Sequence, residues 1–380
     1  MEIQTLRETI NRIDDQLVEL FLQRMDTALH IAEYKKEHGL PVLDKGRERD
    51  ILNHVCDKAG SEMEVYTRVL FSTLFDLSRS YQNRQMLEAS PLEQEIRGAL
   101  LPLETLFPER AVVACQGVEG SYGQQACEKL FKLPNILYFS QFDGVFQAVE
   151  RGMCQYGLLP IENSSAGSVT TVYDLMKKHK FHIVRSVKLR VNHALLAKSG
   201  VRAGDITEVV SHEQAISQCS EFLCSHPEIK VTVFPNTAAA AKYVAESDRK
   251  DLAAISSKVC AELYGLNVLQ DAIQDSDNNY TRFICISKNM EIYPGANKIS
   301  LMLPVPHQPG SLSSMIARFS ALGINLSKLE SRPIPGKDFE FMFYFDMEAS
   351  VHNPRELALL CELQQTLDNF VFLGNYSEVS

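Results

Sequence analysis

Residues Tyr156–Leu175 read YGLLPIENSSAGSVTTVYDL. A short apolar run leads directly into a loop of small and polar residues, so Glu162, Asn163 and Ser164 follow the end of a predicted strand. In α/β proteins, ligands bind where strand ends open into such loops. An ordinary capped turn is the alternative interpretation. The stretch therefore predicts an α/β domain with a candidate ligand site at a strand end.

The sequence around this stretch alternates in the same way. Short β-like runs are separated by helical stretches from Ala111 onward, which predicts an α/β arrangement. The runs are AVVAC, ILYF, YGLLPI, HIVRSVKLRV, HALLA, VTVF, LAAIS and RFICIS. The glycine-rich segment QGVEGSYGQQA (Gln116–Ala126) either cradles an anion or forms a tight strand-to-helix turn. SHEQAISQC (Ser211–Cys219) repeats the polar strand end in what is predicted to be a second lobe.

The N-terminal segment has a helical period. Residues 2–38 contain no proline, and apolar side chains recur with alternating spacings of three and four from Ile3 to Leu20. Gly39 and Pro41 end this helix, and two further helices are predicted over 45–58 and 62–87. A helix of this length is about 54 Å long. Since so small a helical unit cannot cover it, we expect an intertwined dimer.

Two cations interrupt the apolar seam of the first helix. Arg24 takes a seam position, and Lys35 lies close to the same stripe. Structural ion pairs or side chains that snorkel to water would also explain them. Polar residues that suit a small dicarboxylate with a hydroxyl and an ether group follow on the next two helices: Asp44, Arg47, Glu48, Ser78 and Gln82.

The remaining segments are a predicted linker and a predicted α+β tail. Residues 91–109 carry three prolines and mixed charge, so we expect a connector. Residues 296–380 have the order βαββαβ of the split βαβ, ferredoxin-like sandwich. Within this tail, Gly310 precedes a predicted helix whose N-terminus favours a carboxylate.

Composition narrows the classes of partner. The 380 residues carry a net charge of −10, which argues against nucleic acid and anionic membranes but not against a small anionic substrate. No apolar run reaches the roughly 20 residues of a membrane span, and no signal peptide is predicted. Nine scattered cysteines without a CxxC pair predict free thiols in a reducing, cytoplasmic compartment and no metal site.

The helical segment resembles a known family. The runs LRETINRIDDQLVELFLQRM and EYKKEHGLPVLDKGRERD, with a later S-x-x-x-Q, are similar to the all-helical chorismate mutases fused to prephenate dehydratases. The resemblance implies a Claisen rearrangement of chorismate to prephenate without a cofactor. The protein would hold the reactive conformer and stabilise charge on the ether oxygen.

The same resemblance assigns roles to eight residues. Arg24 and the partner subunit's Arg7 would bind carboxylates, whereas Lys35 and Gln82 would address the ether oxygen. Glu48 would take the ring hydroxyl. The implied mutase residues are Arg7, Arg24, Lys35, Asp44, Arg47, Glu48, Ser78 and Gln82.

Residues 111–288 resemble prephenate dehydratase, on the strength of PIENSSAGSV and NYTRF. The resemblance implies two lobes with the architecture of periplasmic binding proteins and a reaction that expels carbon dioxide and water from prephenate. Thr281 would act on the leaving hydroxyl. The other implied residues are Glu162, Asn163 and Gln218 in catalysis and Ser164, Ser211, Arg282 and Phe283 in substrate binding.

The tail resembles the ACT domain of regulated prephenate dehydratases, through PGSLS (Pro309–Ser313) and ESRP. The resemblance implies that L-phenylalanine binds across a dimer interface as an allosteric effector. The implied effector residues are Gly310, Ser311, Leu312, Glu330, Ser331, Arg332 and Pro333.

Together these patterns predict three domains: an all-helical mutase over 1–90, a two-lobed α/β dehydratase over 110–290 and an α+β sensor over 296–380. We expect a homodimer or a larger homo-oligomer that makes phenylpyruvate for phenylalanine synthesis. Two alternatives stay open. One is a dehydratase that prefers arogenate, with the mutase still fused to it, and the other is a catalytically inactive regulator that binds a small molecule.

Overall fold

The computed structural model describes residues 3–86, 90–334, 336 and 340–380. The chain divides into two compact units, of which the first comprises Met1–Glu95, Leu303–Phe343 and Val351–Val371. The second comprises Ile96–Met302, Tyr344–Ser350 and Phe372–Ser380.

Helices and strands are numbered separately along the chain. The helices are α1 (Ile3–Glu37), α2 (Lys45–Ala59), α3 (Glu64–Met86), α4 (Pro91–Ala99), α5 (Tyr122–Leu130), α6 (Phe142–Glu150), α7 (Thr170–Met176), α8 (Glu213–Ser217), α9 (Ser220–Cys224), α10 (Thr237–Glu246), α11 (Lys258–Tyr264), α12 (Ser311–Ala321) and α13 (Pro354–Thr366). The strands are β1 (Arg110–Gln116), β2 (Leu133–Phe139), β3 (Tyr156–Asn163), β4 (Gly167–Ser168), β5 (His182–Arg190), β6 (Ala194–Ala197), β7 (Glu208–Ser211), β8 (Lys230–Val233), β9 (Leu252–Ser256), β10 (Asn267–Gln270), β11 (Tyr280–Ser287), β12 (Lys298–Val305), β13 (Asn325–Pro333), β14 (Phe341–Glu348), β15 (Val371–Tyr376) and β16 (Glu378–Val379).

The three predicted N-terminal helices are present as α1, α2 and α3. The first ends before Gly39, whose φ of +65° is a left-handed conformation that suits glycine. The second is capped by Asp44, whose carboxylate accepts from the backbone N–H of Arg47 at 3.0 Å. Leu87, the predicted end of the third helix, lies outside the described residues.

The apolar seam of α1 is exposed in the single chain. Ile3, Leu17 and Leu20 are 64%, 55% and 60% exposed, whereas Ala28 and Ala32 near the other end of the helix are buried. A row of large aliphatic side chains in water is unfavourable by about 25 cal/mol for each Å² of apolar surface. The seam is therefore the surface of α1 that most favours a covering partner.

Within the first unit, the two tail helices pack on α3. Glu362 of α13 accepts from the Ser80 hydroxyl at 2.7 Å and pairs with Arg318 of α12 at 3.2 Å. Asp76 of α3 accepts from the hydroxyl of Ser314, in the first turn of α12. These polar contacts join α3 to α12 through Asp76 and to α13 through Ser80.

The predicted linker over 91–109 contains a helix that was not predicted, because Pro91–Ala99 forms α4. Proline is favourable at the first position of a helix, where its missing N–H would have no intrahelical acceptor. Leu92, Ile96 and Ala99 recur at helical spacing and are all buried. Pro91 therefore starts a helix, where the sequence pattern alone indicated a break.

The second unit contains two sheets, each flanked by helices. The first has the order β16-β5-β11-β3-β1-β2, with β4 paired to β3, and the second has the order β10-β6-β9-β7-β8. All eight predicted β-like runs form strands, which confirms the α/β prediction. The short strands β4, β7, β10 and β16 were not predicted.

From Lys298 onward, the chain follows the predicted order βαββαβ, with α12 after β12 and α13 after β14. The four strands form a sheet of order β13-β14-β12-β15. The short strand β16 comes after this sheet and pairs in parallel with β5 of the first α/β sheet.

Strand β11 carries a buried arginine at the centre of an ionic cluster. Arg282 is only 5% exposed, and its guanidinium pairs with Asp346 at 2.6 Å and with Glu378 at 3.1 Å. It also donates to the Tyr376 hydroxyl at 2.8 Å. Burial alone would lower the pKa of Arg282, but Tyr376, Asp346 and the neighbouring carboxylates raise it on balance, so the group stays charged.

We predict that Glu378→Gln lowers the free energy of unfolding by about 2 kcal/mol at pH 7, because it removes one ionised partner from a buried guanidinium. Burial alone would raise the pKa of Glu378, but Arg282, Lys298 and Lys188 lower it on balance. The stabilisation is therefore complete above the unfolded pKa, roughly 4.3, and is lost as the pH falls through the folded value.

Urea unfolding at pH 7 and below pH 4 measures this difference. The difference in the free energy of unfolding between Glu378→Gln and wild type should be smaller below pH 4 than at pH 7. Glu262→Gln, at an exposed position on α11, is the matched control. Equal stability of the Glu378 variant and wild type at pH 7 would contradict the ionic role.

Two candidate active sites

A cavity of about 320 Å³ lies among α1, α2 and α3. Seven of the eight predicted mutase residues line it: Arg24, Lys35, Asp44, Arg47, Glu48, Ser78 and Gln82. Arg7 is not among the lining residues, and the prediction assigned it to the partner subunit's pocket. The packing of α1, α2 and α3 has thus brought three cations and four polar groups around one space large enough for a small dicarboxylate.

Two of these cations keep their charge available. The Lys35 ammonium donates to the backbone carbonyl of Val42 at 2.6 Å, and the Arg24 guanidinium lies 5.7 Å from the centre of the Phe75 ring. Burial lowers the pKa of Arg24, and the charge of Glu48 partly opposes this. In the described part of the chain, no carboxylate forms an ion pair with Arg24 or Lys35. An anionic ligand would supply the missing countercharge.

Ser78 and Gln82 form a buried pair on α3. The Gln82 amide nitrogen lies 3.0 Å from the Ser78 hydroxyl, and the Gln82 amide oxygen has no partner among the described residues. Because a serine hydroxyl can donate or accept, the amide can turn and keep its bond to Ser78. In that orientation an NH₂ donor replaces the unpaired amide oxygen.

Arg79 is a cavity residue that the sequence analysis missed. Its guanidinium pairs with both Glu48 and Asp76, and Asp76 also accepts from Ser314 of α12. Arg79 thus fixes the carboxylate predicted to take the ring hydroxyl. The sequence signal was its spacing, because Phe75, Arg79 and Gln82 recur at i, i+4 and i+7 on one face of the helix.

The second site forms where β3 ends beside the start of β11. These strands are antiparallel, and their register places Thr281 opposite Asn163. The Asn163 amide donates to the Thr281 hydroxyl at 2.9 Å, and its amide oxygen is 3.5 Å from the amide nitrogen of Gln218. Three predicted catalytic residues from distant parts of the chain therefore meet.

A cavity of about 280 Å³ adjoins this cluster. It is lined by polar side chains and small residues: Ser165, Ala166, Gln214, Ser217, Gln218, Gln274, Asp275, Ser276 and Asn279. Burial alone would raise the pKa of Asp275, but hydrogen bonds from Ser220 and the backbone of Glu221 lower it on balance. The cavity thus offers amide donors and one carboxylate. Of its residues, only Gln218 was predicted as a site residue.

Several predicted dehydratase residues lie elsewhere, and three substrate-binding assignments need correction. Ser211 is buried and donates to the carbonyl of Ile255 at 2.6 Å. Phe283 belongs to a buried apolar cluster, and Arg282 is enclosed by its ionic partners. A substrate cannot reach these side chains in this arrangement, because each points into the interior.

The remaining two predicted dehydratase residues, Glu162 and Ser164, lie near the cluster described above. Glu162 pairs with Arg282 at 3.2 Å, so one of its contacts is structural. Ser164 is exposed, and its hydroxyl donates to the carbonyl of Asn278 at 2.9 Å and accepts from the backbone of Tyr280 at 2.9 Å. Ser164 therefore ties the loop after β3 to the start of β11.

The glycine-rich segment forms a packed turn between the two lobes. A Cβ atom on Gly120 would lie 2.9 Å from the sulfur of Cys260, and Gly120 has a φ of +85°. The Tyr264 hydroxyl donates to the carbonyl of Glu119 at 2.7 Å. These contacts support the tight-turn interpretation and require glycine because α11 approaches so closely.

The predicted effector residues fall on two segments of the tail. Gly310 has a left-handed backbone with a φ of +86° and immediately precedes α12, followed by Ser311 and Leu312. The residues Glu330–Pro333 form the end of β13.

Metal sites and membrane spans are both absent from the part of the chain that the structure describes. Among its residues, no group of three or more His, Cys, Asp or Glu side chains is placed to hold a metal ion. No helix in the described ranges has the length and hydropathy of a membrane span.

Comparisons with known proteins identify both regions. A family model for chorismate mutase type II matches residues 6–83, and one for prephenate dehydratase matches residues 113–291. Arogenate dehydratase 2 of Petunia hybrida is 35% identical over 352 residues, which cover 87% of this chain and 89% of that protein. This chain belongs to the prephenate dehydratase family. It carries a chorismate mutase domain ahead of the dehydratase.

Other relatives agree with this assignment. The arogenate dehydratase/prephenate dehydratase 2 of Arabidopsis thaliana is 36% identical over 311 residues, which cover 78% of this chain and 81% of that protein. The crystal structure of prephenate dehydratase in complex with L-Phe from Arthrobacter aurescens matches with a TM-score of 0.65 at 28% identity, over 70% of this chain and 89% of that one. The chain is a bifunctional enzyme of phenylalanine biosynthesis, with mutase and dehydratase activities.

We predict that Arg79→Met lowers kcat/KM for chorismate about tenfold, because Glu48 loses the charged partner that fixes it; a charge-assisted hydrogen bond contributes about 1.5–3 kcal/mol. Turnover of added prephenate should stay at the wild-type rate. Arg68→Met is the matched control, since Arg68 is an exposed arginine of α3 paired with Glu64. Unchanged mutase kinetics in Arg79→Met would exclude the role.

Proposed function

We propose that chorismate is rearranged in the cavity of the helical domain and that prephenate is converted to phenylpyruvate at the cluster of Thr281, Asn163 and Gln218. The observation that carries the second assignment is the 2.9 Å contact between the Asn163 amide and the Thr281 hydroxyl. The seven predicted residues around the first cavity support the mutase assignment.

In the first reaction, one C–O bond breaks as one C–C bond forms within a single molecule. Arg24 and the partner subunit's Arg7 bind carboxylates, and Arg47 helps to orient the ring carboxylate, so that the compact reactive conformer is held. Negative charge grows on the ether oxygen as its bond to carbon breaks. The ammonium of Lys35 and the amide NH₂ of Gln82 stabilise that charge.

In the second reaction, prephenate loses its ring carboxylate as carbon dioxide. The bonding electron pair enters the ring as the C–O bond to the ring hydroxyl breaks, and one proton converts the departing hydroxide to water. The Thr281 oxygen accepts from Asn163, so its own hydrogen is free to donate to the leaving oxygen. Because an aromatic ring forms, the driving force is large. The enzyme mainly has to assist a poor leaving group.

Arogenate is the second candidate substrate of this cavity. It replaces the keto group of prephenate with an ammonium group, and the ionised Asp275 in the cavity is a suitable partner for that cation. The relatives are described as arogenate dehydratases or as enzymes for both substrates. We favour prephenate because the fused mutase produces it in the same chain. A comparison of kcat/KM for the two substrates distinguishes them.

We further propose a homodimer in which a second copy covers the seam of α1, because Ile3, Leu17 and Leu20 are otherwise exposed. The domains are then a mutase over 1–90, a dehydratase over 110–290 and an ACT sensor over 296–380, with α4 joining the first two. We assign the enzyme to the cytoplasm, since all nine cysteines are free thiols.

The sensor is proposed to bind L-phenylalanine as an allosteric inhibitor. Its support is the βαββαβ order, the left-handed Gly310 before the N-terminus of α12 and the related dehydratase crystallised with L-Phe. In this assignment Gly310, Ser311 and Leu312 receive the amino acid, with Glu330–Pro333 contributed by the partner subunit.

Reciprocal variants test the two active sites. Lys35→Ala should lower the mutase rate about 10²- to 10³-fold, because it removes the cation nearest the developing charge, and should leave turnover of added prephenate intact. Thr281→Ala should consume chorismate normally and accumulate prephenate. Chromatography of chorismate, prephenate and phenylpyruvate over time measures both. Loss of both activities in either variant would contradict separate sites.

Substitution of Ser331 and Arg332 together by alanine should abolish inhibition by L-phenylalanine and leave uninhibited activity intact. A coupling of about 1–3 kcal/mol corresponds to inhibition of about 5- to 150-fold. Calorimetry and dehydratase assays with added L-phenylalanine measure it. Deleting the tail is a poorer test, because Asp346, Tyr376 and Glu378 are partners of the buried Arg282. If the wild-type protein neither bound L-phenylalanine nor was inhibited by it, the assignment of the tail as a sensor would be refuted.

A further inference from the structure

A chain of side-chain hydrogen bonds leads away from Thr281, and its direction can be assigned from the backbone. The Asn163 amide oxygen accepts from the backbone N–H groups of Ser165 and Ala166, at 3.0 and 2.9 Å. A backbone N–H can only donate, so this atom is the oxygen and the other is the NH₂ group. That group must donate both to Thr281, at 2.9 Å, and to Asn279, at 2.8 Å.

The direction of this hydrogen bond also fixes the orientation of the next amide, that of Asn279. Since Asn279 accepts from Asn163 through its amide oxygen, its NH₂ group is the atom that lies 2.9 Å from Gln218. The atom of Gln218 that faces Asn279 must therefore be its amide oxygen. The NH₂ group of Gln218 then faces the other way, toward Asn163 at 3.5 Å and the cavity that Gln218 lines.

His193 ends the chain. Its Nε2 atom lies 3.0 Å from the same Gln218 oxygen, so Nε2 must carry a hydrogen and donate it. His193 and Asn279 are 2% and 1% exposed. Burial lowers the pKa of His193 more than its contact with Gln218 raises it, so the ring is neutral at pH 7. The Nδ1 atom is then without a hydrogen. The Tyr122 hydroxyl lies 3.4 Å from it and donates to the carbonyl of Asn192.

We propose that His193 and Asn279 are positioning residues that lock the Gln218 amide so that it presents only N–H donors to the substrate cavity. The proposal rests on the proposed dehydratase function of this cluster. Both lone pairs of the Gln218 oxygen are occupied, one by each positioning residue. The amide therefore cannot turn without breaking two buried hydrogen bonds.

The orientation matters because the substrate carries two carboxylates. An amide NH₂ group attracts a carboxylate, whereas an amide oxygen turned toward it would repel it. The same directed chain keeps the Asn163 NH₂ group on the Thr281 oxygen, which leaves the threonine hydrogen for the leaving hydroxyl. Neither His193 nor Asn279 was singled out from the sequence as a site residue.

A matched pair of substitutions at His193 tests the donor. Gln can place an N–H close to the position of the histidine Nε2 atom, whereas Leu fills similar space with no donor. His193→Leu should lower kcat/KM for prephenate about 10- to 100-fold and raise KM. In His193→Gln, kcat/KM for prephenate should lie within about threefold of the wild-type value. Tyr122→Phe removes the hydroxyl near Nδ1 together with its hydrogen bond to the carbonyl of Asn192, but it leaves the Nε2 donor in place. This variant should therefore keep a higher kcat/KM than His193→Leu.

A substitution of nearly identical shape at Asn279, the next residue of the hydrogen-bond chain, tests the proposal without changing the side-chain volume. Asn279→Asp keeps the shape but replaces the NH₂ group with an oxygen, which repels the Gln218 oxygen and favours the turned amide. It should lower kcat/KM for prephenate at least as much as His193→Leu. Mutase activity on chorismate serves as the folding readout and should stay unchanged in every variant. Wild-type kinetics in either His193→Leu or Asn279→Asp would overturn the proposal.

The tautomer provides a readout that does not depend on activity. Nitrogen-15 NMR of histidine-labelled protein, with His193→Gln for assignment, should show a neutral ring that is protonated at Nε2 at pH 7. A ring protonated at Nδ1 would overturn the proposal. If the wild-type protein failed to convert prephenate, the proposed function would fall, whereas the NMR result would still decide the direction of the hydrogen-bond chain.

Discussion

Strand β11 runs antiparallel to both β3 and β5, and this pairing brings Thr281 beside Asn163 while it buries Arg282. Successive residues of a strand point to opposite faces of a sheet. The hydroxyl of Thr281 and the guanidinium of Arg282 therefore belong to adjacent residues but lie on opposite faces of the sheet. A buried guanidinium must be paired. Its partners Asp346 and Glu378 come from segments after the dehydratase sequence, so β11 depends on the tail for its charge balance.

The two candidate sites use opposite electrostatic designs, and each suits its chemistry. The cavity among α1, α2 and α3 concentrates cations, as suits the proposed reaction in which charge develops on one oxygen, and Arg24 and Lys35 have no carboxylate partner among the described residues there. The dehydratase cluster is built mainly from neutral amides whose directions are set by Asn163 and its neighbours. Neutral donors can bind a carboxylate without holding it so strongly that its loss as carbon dioxide becomes difficult.

The helical region is tied to later parts of the chain as well. Asp76 contacts Ser314 of α12, and Asp76 also pairs with Arg79, which holds Glu48 in the mutase cavity. The first turn of α12, which follows the proposed effector turn, is thus two ion pairs away from a mutase side chain. Because each of these contacts joins charged or polar groups, a displacement of α12 would first change the position of the Asp76 carboxylate.

The sequence by itself determined the helical, α/β and α+β character of the three segments, and helical spacing placed Arg24 and Lys35 close to one stripe of α1. The packing of α1, α2 and α3 then brought Gln82 to the same cavity. The sequence also identified Thr281 and Asn163 through local motifs. Only the tertiary structure decided that Arg282 is buried and that His193 contacts Gln218. These outcomes depend on pairing between strands and loops far apart in the chain, and no local period or composition encodes which distant groups will meet.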